Sequence, residues 1–327
     1  MDRRFACVTL LSSSLLSLTA ANAAHAAADW PTKPVRVIVP YAPGGGSDTL
    51  GRLVSKHLSE TFKQPFVVEN RAGAAGVIGS QMVARAEPDG YTLVVSGIGS
   101  HVVAPLLQGN TYDPIKDFTH IAFLGGPPTV LVTHPDQPYK DLKSFVEQAR
   151  ARPGAISWGS PGQGTHGYMI GEAFAAAAKV KMVPVNYKGG NPAMTDLLAG
   201  HITSAFMSFG TTTPYIQSGK LRALAITSTK RVEGFDNVPT FTELGYPALT
   251  GTTWFSLSGP ANLPAAIVER LNTEVRRALR APDVVDEMRR QNMETMDMDV
   301  AAINRYVKSE IEHWKPYIQP ARKDAQP

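Results

Sequence analysis

Apolar positions along this chain switch repeatedly between a strand-like and a helical period. Val35 to Val39 is a short, β-branched run, the pattern of a buried strand. After Gly44-Gly45-Gly46-Ser47-Asp48, Leu50, Leu53, Val54, His57 and Leu58 fall at helical spacing. "PFVVEN" reads as a strand, "RAGAAGVIGSQMVARAE" as a glycine-rich helix start, and "GYTLVVSGIGS" as a strand ending in Ser96 to Ser100. Two strands in "HIAFLGGPPTVLVTHP" are joined by Gly125-Gly126, which suits a crossing between lobes. A second series follows: helix Leu142 to Ala151, strand Ala155 to Gly159, a glycine loop, helix Tyr168 to Ala178, strand Met182 to Tyr187, loop Lys188 to Asn191, helix Pro192 to Leu198 and strand Ile202 to Met207. "LRALAITST" is one more apolar run. The Gly-, Pro- and Thr-rich stretch "VPTFTELGYPALTGTTWFSLSGP" reads as a return crossing. Two long helices close the chain, one with Ile267, Leu271, Val275 and Leu279 in a stripe. The other runs from about Val300 to Trp314, with Pro316 and Pro320 marking its end.

Strands alternating with helices imply an α/β fold with parallel sheets. The pattern breaks into two lobes, with the C-terminal part returning to complete the first. The boundaries fall at 29–125 plus 249–327 for lobe 1 and 126–248 for lobe 2, behind a leader at 1–28. Ligands in such sheets bind at the carboxyl ends of strands, in a cleft between lobes.

The leader reading rests on Arg3 and Arg4, an apolar stretch from Phe5 to Ala20, and small residues ending at Ala26 to Ala28. The stretch is broken by serines and falls short of the ~20 residues a membrane span needs, so cleavage and export to the periplasm are expected. A mature chain of roughly 300 residues suits about two domains. Cys7 is the single cysteine and leaves with the leader, which excludes disulfides, thiolate metal sites and a thiol nucleophile. Asp2, Arg3 and Arg4 leave too, so the net charge falls from +4 to +3. Lys and Arg form no cluster with interleaved aromatics, which argues against nucleic acid. The remaining histidines show no pair at metal-ligand spacing.

Two glycine loops carry the candidate chemistry. "PYAPGGGSD" offers backbone amides at a helix start, where the dipole favours an anion, but lacks the Lys-Ser/Thr ending of a nucleotide P-loop. A tight turn capped by Ser47 or Asp48 would explain the same glycines, and Asp48 reads mainly as a cap. The second loop, "SPGQGTHG", contains Gly162-x-Gly164-x-x-Gly167, the spacing of a dinucleotide turn. The acid that should follow about 20 residues on is absent, since Asn186, Tyr187 and Lys188 stand there. Ser160 and His166 allow a secreted hydrolase as an alternative, without the G-x-S-x-G frame or a placed Asp. Trp158, Phe209, Tyr215 and Trp254 could line a pocket or pack a core, with Phe209 the strongest pocket candidate.

Taken together, "WPTKPVRVIVPYAPGGGSDTLGRLV", "VVENRAGAAGVIGSQMVARAEPDGYTL", "YKGGNPAMTDLLAGHI" and "NVPTFTELGYP" resemble the tripartite tricarboxylate transporter substrate-binding proteins, the Bug family of periplasmic receptors. The resemblance covers essentially the whole chain. It implies a two-lobed periplasmic-binding-protein (Venus flytrap) fold that closes on a small carboxylate, mono- or dicarboxylate, and delivers it as a monomer to the integral-membrane permease of a tripartite transporter. A sensory receptor would use the same closed form. No catalysis and no cofactor are implied. Transferred to this chain, the ligand loop on one lobe is Gly44, Gly45, Gly46 and Ser47; Pro43 before it and Ser96 at a strand end are further ligand candidates on that lobe. On the other they are Ser160, Gly164, Thr165 and the turn Tyr187, Lys188 and Gly189, with Phe209 nearby. The loop departs from the family pattern where Tyr168 stands at a usual His position, and His166 occupies a variable one. These two residues are expected to shape selectivity, toward a larger or aromatic carboxylate.

Overall fold

A computed structural model describes residues 29–108, 111–187 and 189–324; the leader and Lys188 lie outside the described residues. Among the described residues ten strands form two five-stranded sheets. The first sheet takes β1 (Val35–Val39), β2 (Phe66–Asn70), β3 (Thr92–Gly97), β4 (Phe118–Gly125) and β10 (Phe255–Pro260), in the order β2-β1-β3-β10-β4. The second takes β5 (Thr129–Thr133), β6 (Ser157–Ser160), β7 (Val183–Asn186), β8 (Ser204–Ser208) and β9 (Arg222–Ile226), in the order β7-β6-β8-β5-β9. Neither is purely parallel, as the alternation of strands and helices had implied. β10 runs antiparallel between β3 and β4, and β5 antiparallel between β8 and β9. Each antiparallel strand is the one by which the chain enters its sheet after crossing from the other, a reversal that hydrophobic periodicity does not encode.

The helices cover both faces. α1 (Gly46–Phe62) places Leu50, Val54 and Leu58 against the first sheet. It lies close because Gly51 has no side chain: a β-carbon there would stand 3.1 Å from methyls of Val39 and Val95. α8 (Ala265–Ala278) seats Ile267, Leu271 and Val275 in the same core. The opposite face carries α2 (Val77–Ala84) and a π-helical turn, Gly99–Val103, running into α3 (Ala104–Gln108). On the second sheet, α5 (His166–Ala178) packs so tightly that a β-carbon at Gly171 would fall 2.3 Å from the Trp158 ring. α4 (Leu142–Ala151), α6 (Gly190–Leu198) and α7 (Phe209–Gln217) complete that half.

The chain crosses between the sheets at 126–128 and again at 250–254, and the two crossings pair. Thr253 N donates to Pro127 O (2.9 Å), and a third segment joins where Gly126 N donates to Glu294 O (2.8 Å) and Glu294 N to Gly126 O (2.9 Å). Glycine is obligatory here. A β-carbon on Gly126 would lie 1.6 Å from Thr253 O, and one on Gly125, at φ +99°, 2.2 Å from Glu294 O.

The C-terminal region holds three helices rather than two, because α9 (Pro282–Arg290) is separate from α8. The last, α10 (Val300–Asp324), does not stop at Pro316 or Pro320. Ile303, Val307, Trp314 and Ile318 lie buried along it, so the stripe continues past the first proline and burial outweighs the lost backbone hydrogen bond. α10 packs against β4 and α3 of the first half and α5 of the second. Among the described residues no helix is long and apolar enough to cross a membrane.

Candidate functional site

The carboxyl ends of the two sheets face each other. Gly99, just after β3, sits so close to the second sheet's loop that a β-carbon on it would be 3.1 Å from Gly164 O. A β-carbon on Gly164 would in turn be 3.3 Å from the Ala75 β-carbon. The Gly164 loop therefore meets the turn after β3 and a segment that was not singled out in the sequence, Gly73 to Gly76.

On the first sheet, Pro43, Gly44 and Gly45 are exposed and Ser47 is buried. Gly45 is the N-cap of α1, and no side chain caps it. The first-turn amides thus lack intrahelical acceptors by geometry, and no atom stands within 4 Å of where β-carbons on Gly44 and Gly45 would project. Asp48 braces the loop from inside. Its Oδ2 accepts from Gly44 N (3.0 Å) and Arg52 Nε (3.0 Å), and its Oδ1 accepts from Asn70 Nδ2 (2.9 Å). Burial opposes ionisation, but the bonds from Arg52, Gly44 and Asn70 outweigh it and hold the carboxyl below its ordinary range. Asp48 is a brace rather than an N-cap, and its negative charge is already neutralised.

On the second sheet, the three glycines of "GQGTHG" have distinct steric duties. Gly162 (φ +131°) passes where a β-carbon would be 2.7 Å from Tyr187 O, Gly164 (φ +86°) turns toward Ala75, and Gly167 lets α5 approach Phe206 O. The same spacing serves a dinucleotide turn for the same reasons of close approach. Thr165 caps α5, its Oγ1 accepting from Tyr168 N (3.3 Å) and donating to Gly162 O (2.7 Å). Gly189 N donates to Pro161 O (2.9 Å), which brings the start of α6 beside the loop. Gly189 is the N-cap of α6, again without a side-chain cap. The Tyr187 hydroxyl donates to Asp196 Oδ2 (2.7 Å); burial and then that carboxylate push the phenol up to about 12.

Five expectations are corrected. Ser96 does not reach the cleft: its hydroxyl pairs with those of Ser256 (2.6 Å) and Ser258 (2.8 Å) inside the sheet. Phe209 is fully buried and packs edge-on against Phe235 at 4.9 Å. Tyr168 is buried against Trp158 at 5.7 Å. His166 points away from the loop mouth, into the crossing strands. The Ser160–His166 pair of a hydrolase does not form. Ser160 Oγ accepts from Gly162 N (3.3 Å), whereas His166 Nδ1 faces the hydroxyls of Thr129 (2.9 Å) and Thr253 (3.3 Å) and its buried Nε2 has no partner. The aromatic-selectivity expectation loses its basis with His166 and Tyr168.

The segment missed in the sequence has a recognisable backbone. Gly73, Ala74, Ala75 and Gly76 all have positive φ (142°, 48°, 54° and 95°). Two L-residues in the left-handed region cost about 1–2 kcal/mol each and persist where surroundings impose them, often at functional sites. The only sequence signal was the pair of glycines around Ala-Ala. Among the described residues no group of His, Cys, Asp and Glu is arranged to hold a metal ion.

Residues 50–322 match the family model of the tripartite tricarboxylate transporter family receptor. The chain belongs to that family. BugT of Bordetella pertussis is 34% identical over 306 residues, 92% of this chain and 93% of its own. Among solved structures, Rpa4515 of R. palustris, solved with adipate, is 31% identical with a TM-score of 0.80, covering 89% of this chain and 97% of that one. MatC (Rpa3494) from Rhodopseudomonas palustris, with bound malate, is 30% identical with a TM-score of 0.78, covering 88% of this chain and 100% of that one. The two-lobed periplasmic-binding-protein fold is thus established, and the chain is a solute-binding receptor of this family rather than an enzyme.

Proposed function

We propose that this receptor works in the periplasm after loss of residues 1–28, binds a small mono- or dicarboxylate between its lobes, and presents it as a monomer to the permease of a tripartite transporter. Lobe 1 is 29–125 plus 249–327 and lobe 2 is 126–248. The observation that carries the proposal is that α1 and α6 open at the facing sheet ends on exposed or half-exposed glycine caps, Gly45 and Gly189, with no side chain on their first-turn amides. A carboxylate there replaces water. Each helix end contributes ~0.3–1 kcal/mol, and each hydrogen bond to the charged group ~1.5–3 kcal/mol.

In this reading Pro43 to Ser47 hold one end of the solute. Ser160, Gly164, Thr165, Tyr187 and Gly189 hold the other, with Lys188 in the same turn. In sequence, Lys188 is the one cation among the residues assigned to these loops, which favours one or two ligand charges over three. The adipate and malate seen in relatives are of this class. A thermal-shift screen of the mature chain against aliphatic mono- and dicarboxylates, amino acids and neutral sugars tests it. Upward shifts confined to carboxylates are expected; shifts for sugars alone, or for nothing, contradict it.

A further inference from the structure

We infer that His166 is a positioning residue that locks the loop end of lobe 2 to the strands on which the lobes turn, and so restricts their relative angle. His166 is the first residue of α5, directly after the Thr165 cap. Its ring leaves the cleft side and enters the place where four distant parts of the chain meet. Nδ1 lies 2.9 Å from Thr129 Oγ1, at the start of β5, and 3.3 Å from Thr253 Oγ1, on the return crossing. The ring stands edge-on to Trp314 of α10, centroids 5.5 Å apart at 89°. Thr129 is itself bound in: its N donates to Thr227 Oγ1, and that hydroxyl donates to Gly251 O.

The linkage runs through one nitrogen. Nε2 is buried without a partner, and it is the one atom within 4 Å of where a β-carbon on Gly251 would stand (3.8 Å). An unsatisfied buried nitrogen is a cost, so the site is not arranged for stability alone. Burial, with the neighbouring His313 adding to it, depresses the imidazole to about 3, so the ring is neutral near neutral pH and its single Nδ1 site is shared between the two hydroxyls. Thr129 lies in lobe 2 with His166, whereas Thr253 and Trp314 lie in the segments that return to lobe 1, so His166 ties lobe 2 to that return and restricts rotation of one against the other.

The mature chain carries no cysteine, since the only one is Cys7. This makes a double spin-label measurement direct. Glu60→Cys on α1 and Ala177→Cys on α5 are both exposed, and their distance distribution reports the lobe angle without ligand. Relative to this parent, His166→Leu is expected to broaden the distribution. His166→Asn, whose amide can take the place of Nδ1, is expected to restore it. Thr129→Val combined with Thr253→Val, which conserves shape and removes both hydroxyls, should reproduce the broadening; it carries the test if His166→Leu does not fold. An unchanged distribution in the leucine or valine variants, or a broadening that asparagine does not reverse, overturns the inference.

A ligand arm, which rests on the receptor reading above, sharpens it. His166→Leu should weaken every carboxylate the parent binds by the same factor, about tenfold or less, because only the competent population changes. A changed rank order among ligands would instead make His166 a contact residue and overturn the inference. A parent that binds no carboxylate removes the receptor reading alone, and the label distances still decide the role of His166.

Discussion

Among the described residues three histidines are enclosed at zero to two per cent exposure, His101, His120 and His166. His120 sits between Ser258 Oγ (2.9 Å from Nδ1) and Pro114 O (2.9 Å from Nε2), and His101 Nδ1 meets Ser100 Oγ (3.0 Å). Burial is the main cause in each case. It takes His120 to about 4 and His166 to about 3, and it lowers His101 well below its ordinary value, with His120 adding to the effect. All three native values therefore lie below the ordinary ~6.5 of the unfolded chain. The stability this carries is fully present above pH ~6.5 and is lost as pH falls toward 4, because only the unfolded state takes up the protons. Unfolding at pH 5 should take up about three protons beyond those owed to carboxylates, a slope of roughly 4 kcal/mol per pH unit. Calorimetry in buffers of different ionisation enthalpy measures this; uptake of one proton or fewer would show that these rings are not neutral and buried. Nothing in the sequence separates these histidines from half-buried His57 or exposed His201 by spacing, and the contacts that bury His166 come from residues 37, 87 and 148 positions away in the chain.

At the scale of elements, glycines decide more than apolar runs do. Most strands and helices were readable, because burial on one face leaves a period in the sequence. Gly125-Gly126 also pointed correctly to a crossing, since a strand interrupted by two glycines has few other uses. The mixed strand directions, the separate α9 and the length of α10 were not readable, because each depends on a partner far away. The crossing offers a direct test. Gly126→Ala would set a β-carbon 1.6 Å from a backbone oxygen that no rotamer change can move. The expected loss is at the upper end of the overpacking range or above it, about 3 kcal/mol, read from urea denaturation; a loss under 1 kcal/mol would mean that the crossings do not pack as described. The glycine loops show the opposite limit of sequence reading. Their turns were legible, but the left-handed run from Gly73 to Gly76 was not, since alanine carries no signal for positive φ.

At the scale of the whole molecule, three paired segments join the two sheets, and α10 packs against both halves. Family membership fixes the receptor class, and the proposed ligand chemistry rests on the glycine loops. The side chains once assigned to the pocket, Ser96, Tyr168, His166 and Phe209, instead build the frame, because hydroxyls and rings near glycine loops look alike in sequence whichever way they point. In the proposed site, what remains for the ligand is largely backbone. That makes the ligand's charge, rather than its shape, the direct probe of the mechanism. Isothermal titration of the mature chain with a linear aliphatic dicarboxylate and with its neutral diamide of equal length should give one site for the diacid and at least a hundredfold weaker binding for the diamide, which loses charge-assisted hydrogen bonds at both ends. Equal binding of the two, or no binding of any diacid that shifts the melting temperature, would contradict a carboxylate held on helix-start amides.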